Sequence, residues 1–297
     1  MTDPAPITPA AAVVIPHYND VVRLDRCLAA LTKDPLPAPT EIVVVDNGST
    51  QDLSRTCAAH PDITFLTETQ RGAAAARNAG VAQTTAPRIF FLDCDCVPSP
   101  DWIKTAYDLI EGRDIVGGAV EVFDETAPPR NGAQVFETVF AFNQERYIAE
   151  MNFSVTANLL TWRRIWDDVG PLIPGLSEDR DWCNRAVAKG YRLTYEPRLC
   201  VAHPTRNDWA ALRKKWLRLT EESYALTAQQ SFRRPVWAVR AVLVLMSSLA
   251  HAPKILTSPK LGSTTERLRG LSTLFRLRAA RMVWMMRQVF STPLPSP

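Results

Sequence analysis

The sequence predicts an α/β fold, with a mainly parallel central sheet covered by helices on both faces and a helical extension at its C-terminal end. Three observations predict it. Short β-branched runs alternate with helical patterns through residue 122, those runs are apolar without a break, and beyond His203 the pattern is helical to the end. Continuous apolar strands joined by helical crossovers mark a sheet with neither face in water.

The strands read in order as AAVVIP (11–16), EIVVVD (41–46), ITFLT (63–67), RIFFLD (88–93) and DIVGGAVEVF (114–123). Helix-like stretches fall between them near 20–32, 51–59, 73–83 and 101–111. From 124 the alternation loosens, through a Pro-Pro turn at 128–129, to NFSVTANLLTWRR, which reads as a further strand running into a turn. In GLSEDRDWCNRAVAKGY, Ser177 can cap a helix whose first turn holds Glu178, Asp179 and Asp181 and which stops at Gly190. This divides the chain into an N-terminal tail (1–10), an α/β domain (11–205) and a basic, amphipathic helical extension (206–297). Internal repeats and long linkers are absent from the sequence.

The net charge of +3 over 297 residues hides an asymmetry. Residues 1–203 carry 18 Lys and Arg against 27 Asp and Glu, a balance of −9, whereas 204–297 carry 16 against 4, a balance of +12. An acidic body with a strongly basic end points to an anionic partner. The six cysteines show neither a CxxC pair nor zinc spacing, which fits a reduced compartment. MTDPAPITPAAAVVIP has an acid and no basic n-region before its short apolar run, so it reads as a first strand and not as a secretory signal.

Ligands bind such sheets outside the carboxyl ends of the strands. Three polar clusters follow strands: His17-Tyr18-Asn19, Asp46-Asn47-Gly48-Ser49 and Asp93-Cys94-Asp95. On an extended chain Asp93 and Asp95 project to one side, where two like charges repel unless they face water, cap the helix near Asp101, or hold a divalent cation or a hydroxyl-rich ligand between them. Arg77 reads from composition as a solvated residue of an alanine-rich helix, Asp179 as a first-turn acid that can also serve as a general base, and His203 as a structural histidine ending an apolar run. Neither a G-x-G-x-x-G fingerprint nor a P-loop is present, so something other than a glycine cradle must hold any nucleotide.

Taken together in order, the pieces are more specific than any one of them. Val14-Ile15-Pro16-His17-Tyr18-Asn19, Val45-Asp46-Asn47-Gly48-Ser49-Thr50-Gln51-Asp52, Arg71-Gly72 with Ala76-Arg77-Asn78-Ala79-Gly80, Phe91-Leu92-Asp93-Cys94-Asp95, and Glu178-Asp179 followed by Arg185-Ala186 and Gly190-Tyr191 closely resemble family 2 glycosyltransferases of the GT-A fold. The resemblance covers about residues 12–205. It implies a Rossmann-like domain that binds a nucleotide-diphosphate sugar with Mn2+ or Mg2+ and transfers the sugar, with inversion, to an acceptor hydroxyl. Carried over by position, Pro16 and Tyr18 would border the nucleoside, Asp46 would face the base, and Arg71 and Arg77 would lie near the nucleotide. Asp93 would take the ribose side, Asp95 the metal, and His203 a further metal position. Asp179 would be the base, with Glu178 beside it. Asn47, where a second acid is frequent, and His17, where a smaller residue is frequent, depart from the pattern and leave UDP and dTDP donors both open.

PVWAVRAVLVLMSSLAHAPKIL (235–256) is apolar, but its charge-free core, 241–253, is shorter than the ~20 residues of a membrane span, so a buried or interfacial helix is expected. ERLRGLSTLFRLRAARMVWMMRQVF (266–290) mixes six arginines with apolar residues. That pattern fits a segment lying on anionic lipid, or a helix pair packed on the catalytic body or on a second subunit. The expectation is a peripheral contact through 235–290 with the inner face of the cytoplasmic membrane and a lipid-linked or cell-envelope glycan acceptor. Self-association is a further option, and nucleic acid is not expected, since no binding module accompanies the charge. Two other readings are a non-catalytic GT-A-like nucleotide-binding or membrane-complex scaffold, and a sugar nucleotidyltransferase. The latter needs a Gly-rich basic loop after the first strand, where this chain has His17-Tyr18-Asn19-Asp20.

Overall fold

The computed structural model describes residues 8–175, 177–227 and 231–290. Most of the tail expected at 1–10, Leu176 of the GLSEDR stretch and the last seven residues of the extension lie outside them. By their contacts the residues group into two compact units, Met1–Glu121 with Phe142–His203, and Val122–Ala141 with Pro204–Pro297. The second unit therefore takes a segment from mid-chain as well as the C-terminal helices.

One eight-stranded sheet runs in the order β3-β2-β1-β4-β7-β6-β8-β5. Its strands are β1 (Ala11–His17), β2 (Thr40–Asp46), β3 (Thr64–Thr67), β4 (Arg88–Leu92), β5 (Val97–Pro98), β6 (Ile115–Phe123), β7 (Asn158–Trp162) and β8 (Leu193–Pro204). The first half is parallel as the sequence predicts: β1 pairs with β2 and β4, and β2 with β3. The second half is not. β7 inserts between β4 and β6 and runs antiparallel to both, and β5 runs antiparallel to β8. The sheet is thus mixed. β6 keeps the direction expected of it, but its hydrogen-bonded neighbour β7 is a strand that arrives later in the chain and runs the other way.

Alternate residues of the parallel strands feed two cores. Val13, Ile15, Val44, Phe90 and Leu92 pack with α1 (Val21–Leu31) and α4 (Trp102–Ile110) through Leu24, Leu28, Trp102 and Leu109. Val14, Ile89 and Phe91 pack on the opposite face with α3 (Ala73–Gln83), α7 (Arg163–Val169) and α8 (Glu178–Ala188) through Val81, Trp166 and Trp182. Two-sided burial explains why these strands read as unbroken apolar runs. Between α2 (Ser54–Ala59) and α7 the chain also forms α5 (Gly132–Phe140) and α6 (Gln144–Met151). The turn expected after NLLTW is the helix α7.

A buried asparagine ties the antiparallel half together. Asn158 accepts from the Trp102 indole at 3.0 Å and donates to the Ala119 and Leu199 carbonyls at 2.9 Å each, so α4, β6, β7 and β8 share one side chain. Buried polar groups persist only when satisfied in this way.

In the second unit, α9 (Trp209–Ala225), α10 (Arg233–Leu256) and α11 (Thr264–Phe290) pack with α5 around Phe136, Leu212, Ile255, Leu274 and Leu277. α10 and α11 form an antiparallel pair: near one end Trp237 donates to Gln288 at 2.9 Å, and near the other a Cβ on Gly270 would stand 3.1 Å from Ile255. Glu137 is buried and receives Lys215 at 2.6 Å and the Arg206 amide at 2.7 Å.

Candidate active site

The carboxyl ends of β1, β2 and β4 open on a cavity of about 500 Å³ whose wall includes Pro16, Tyr18, Arg71, Arg77, Asp93 and Asp95. These are six of the ten residues singled out from the sequence. The two carboxylates reach it differently from expectation. β4 ends at Leu92, and Asp93 to Cys96 form a turn in which the Asp93 carbonyl accepts the Cys96 amide at 3.0 Å. The turn, and not the alternation of an extended strand, brings Asp93 and Asp95 to one cavity. The thiols nearby stay protonated: burial, with Asp95 and Asp93 adding to it, pushes Cys94 and Cys96 well up.

Asp46 is not on the cavity wall. It accepts the His17 Nδ1–H at 3.0 Å, the Ser49 amide at 3.1 Å and the Ser49 hydroxyl. Burial opposes its ionisation, but the Ser49 and His17 hydrogen bonds outweigh it and hold the carboxyl below the usual range. His17 in turn accepts the Asp20 amide at Nε2, 3.1 Å away. The loops after β1 and β2 are clasped further by Asn19, whose side chain accepts the Thr50 and Gln51 amides at 2.8 and 3.2 Å. Asn47 staples a third loop to this rim, accepting the Gly72 amide at 2.7 Å and donating to the Glu68 and Gln70 carbonyls at 3.0 and 2.7 Å. A carboxylate at 47 could not donate these two bonds. The departures at His17 and Asn47 therefore have a structural reason visible only once the loops meet.

α3 organises the opposite wall. Arg77, 4% exposed, donates through Nη2 to Asp93 and through Nη1 to Glu178 at 3.3 Å. Burial works against its charge, and Asp93 and Glu178 more than restore it. Asn78 exchanges two hydrogen bonds with the backbone of Leu172, at 2.9 and 3.0 Å, fixing the loop that leads to α8. Composition alone made Arg77 a solvated residue. It is instead a buried clamp between the end of β4 and the start of α8.

Glu178, Asp179 and His203 lie off the cavity wall; Glu178 is joined to it through Arg77 and His203 through Asp95. Burial raises the Asp179 carboxyl to about 6, opposed by the Arg180 amide, which it accepts at 2.7 Å, and aided by the charge of Glu178. A carboxylate with this proton affinity, near Arg77 and Asp93, can accept a proton at neutral pH. Ser177, expected to cap α8, makes no side-chain cap; its hydroxyl stands 3.5 Å from Asp179. His203 Nε2, at the end of β8, lies 3.2 Å from Asp95 Oδ2.

Among the described residues no group of three or more His, Cys, Asp or Glu side chains has metal-binding geometry. The Asp95 and His203 pair nevertheless fits a hard cation of the Mg2+ or Mn2+ kind, which keeps waters and substrate phosphates in its shell and needs one or two protein ligands. It does not fit a closed, all-protein metal cage.

Residues 12–166 match the sequence model of the family described as Glycosyl transferase family 2. Glycosyltransferase AglE of Haloferax volcanii is 33% identical over 220 residues, which cover 70% of this chain and 71% of that protein. The pre-mycofactocin glycosyltransferase of Mycobacterium tuberculosis is 27% identical over 223 residues, 67% of this chain but 44% of that one. Among solved structures, a mannosyltransferase from Pyrobaculum calidifontis in complex with GDP-Man and Mn2+ superposes with a TM-score of 0.60 over 96% of this chain and 88% of its own, at 16% identity. The S. aureus protein TarS in complex with UDP gives 0.51 over 90% of each chain at 14% identity. At such identities the superpositions speak for the fold, which is GT-A-like.

Proposed function

Since the chain belongs to glycosyl transferase family 2 and is a glycosyltransferase, we propose that it moves a sugar from a nucleotide-diphosphate donor to an acceptor hydroxyl by metal-assisted, inverting displacement. The observation that carries the reading is the buried Asp179, raised to about 6, coupled electrostatically to Arg77 and Asp93, which line the cavity.

The cavity below Pro16 and Tyr18 has the volume for a nucleoside diphosphate. Arg71 at its mouth offers positive charge to the phosphates. Asp93, held by Arg77, faces the ribose side. Asp46 acts behind the wall, by setting His17 and Ser49, and not as a direct reader of the base. Mn2+ or Mg2+, held by Asp95 and His203, would supply the charge that neutralises the departing diphosphate. Asp179 takes the proton of the acceptor hydroxyl as its oxygen attacks the anomeric carbon, and attack from the side opposite the diphosphate inverts that carbon. Glu178 works through Arg77, as a positioning residue for the start of α8.

The acceptor is read as a lipid-linked or cell-envelope glycan, presented where residues 235–290 meet the inner face of the cytoplasmic membrane. The exposed apolar residues of α10 support that contact. For the chemistry, Asp179→Asn should lower transfer by about 100-fold or more while nucleotide affinity by calorimetry stays near the unsubstituted value. Undiminished turnover would remove Asp179 from the mechanism.

A further inference from the structure

The basic extension holds a charge arrangement that sugar transfer does not use. Arg278 and Arg281 stand one turn apart on α11, and both lie over the Trp216 ring of α9, with their guanidinium carbons 5.9 and 4.5 Å from its centroid. Arg240 of α10 lies over Trp237 at 5.2 Å. Burial first, then the charges of Arg278 and Arg240, push the Arg281 guanidinium down to about 10. The Nε atoms of Arg278 and Arg281 are buried without a hydrogen-bond partner, and among the described residues no carboxylate pairs with any of the three. Other arginines of the same unit are engaged: Arg269 donates to the Arg130 carbonyl at 2.9 Å, and Arg130 to Asp124. Arg278 and Arg281 are partly buried and Arg240 is exposed; partly buried like charges without a counterion are costly, and an anion with several acceptor oxygens relieves both desolvation and repulsion.

Arg240 also borders an apolar stripe. Val236 and Leu243, one turn to either side of it, are 57% and 60% exposed, and Val239, Met246 and Leu249 continue the stripe at 61%, 53% and 59%. No charged residue interrupts 241–253. Contrary to the expectation from its short charge-free core, α10 is by length and composition alone long and apolar enough to cross a membrane. Its other face, however, is packed on α11, so crossing would carry Arg276, Arg278 and Arg281 into hydrocarbon, where charged side chains are strongly disfavoured. Lying in the headgroup layer, the stripe meets acyl chains and the arginines meet phosphate.

We infer that Arg240, Arg278 and Arg281 form a site for the phosphate group of an anionic lipid, with the exposed stripe of α10 against its acyl chains. The site gives a chemical identity to the membrane contact proposed above and does not depend on the transfer chemistry. The adjoining stripe favours a lipid phosphate over a free one.

Flotation of the full chain with phosphatidylcholine vesicles, with and without phosphatidylglycerol, tests it. The chain should float with the anionic vesicles at low salt. Arg278→Gln and Arg281→Gln should each lower partition about fivefold or more, while Arg269→Gln, an equal charge loss on the same helix, should stay within about twofold. Leu243→Asp, at an exposed position that leaves the core alone, should abolish flotation with circular dichroism unchanged. Equal losses at Arg269 and Arg281 would mean a diffuse field and overturn the site, as would flotation by Leu243→Asp. Inorganic phosphate displacing the vesicles at equal phosphate concentration would overturn the lipid assignment. A wild-type chain that transfers sugar but does not float would sink this site and the membrane contact with it, and leave the transfer chemistry standing. One that floats but transfers no sugar would sink the proposed function alone.

Discussion

In the proposed mechanism Asp179 sets the pH dependence. An acid raised in the folded state binds its proton more tightly there than in the unfolded chain, so stability falls as pH rises from about 4 towards 6, where the ionised form is the one disfavoured by burial. The proposed mechanism needs that ionised form. Transfer should therefore fall about tenfold per pH unit below 6, whereas an unperturbed aspartate would sustain it to about pH 4. A rate profile of kcat/KM against pH checks this, and a flat profile down to pH 4.5 would contradict it. The same residue makes a second demand: Asp179→Asn should raise the melting temperature at neutral pH while it removes activity, because it deletes a buried charge.

α3 is the element on which the site depends, since it presents Arg77 and Asn78 from one turn and sits close on the sheet. A Cβ added at Gly80 would stand 2.5 Å from Val14 Cγ1 and 3.1 Å from Val45 Cγ2. Gly80→Ala gains helix propensity of about 1 kcal/mol, but overpacking costs about 1–3 kcal/mol. The expected net result is a lower melting temperature, and one above wild type would show that the helix can stand off. This element was legible in the run of alanines, and so were β1, β2 and β4 in their apolar runs. β7 and β8 were harder to place because strand direction depends on partners far along the chain. The Arg77–Glu178 bond, which spans 101 positions, is invisible to composition. His17 and Asn47 stand out as exceptions in the sequence, but the hydrogen bonds that explain them need the loops in place.

At the scale of the molecule, the chain carries two charge regimes. The acidic body gathers carboxylates around one cavity, behind whose wall His203 lies 3.2 Å from Asp95, and the basic extension carries 16 Lys and Arg against 4 Asp and Glu. The division into an acidic and a basic part was plain in the sequence, but the inclusion of Val122–Ala141 with the C-terminal helices was not, because that segment carries no charge signature of its own. The central claim is that Asp95 helps to hold a divalent cation on which diphosphate departure depends. Calorimetric binding and turnover of a panel of UDP-, dTDP- and GDP-sugars, with Mn2+ and then with chelator, tests it most directly when wild type and Asp95→Ala are compared. A donor should bind tightly and turn over only with the metal, and the Asp95→Ala chain should lose this metal response. Full transfer by Asp95→Ala in the presence of chelator would contradict it.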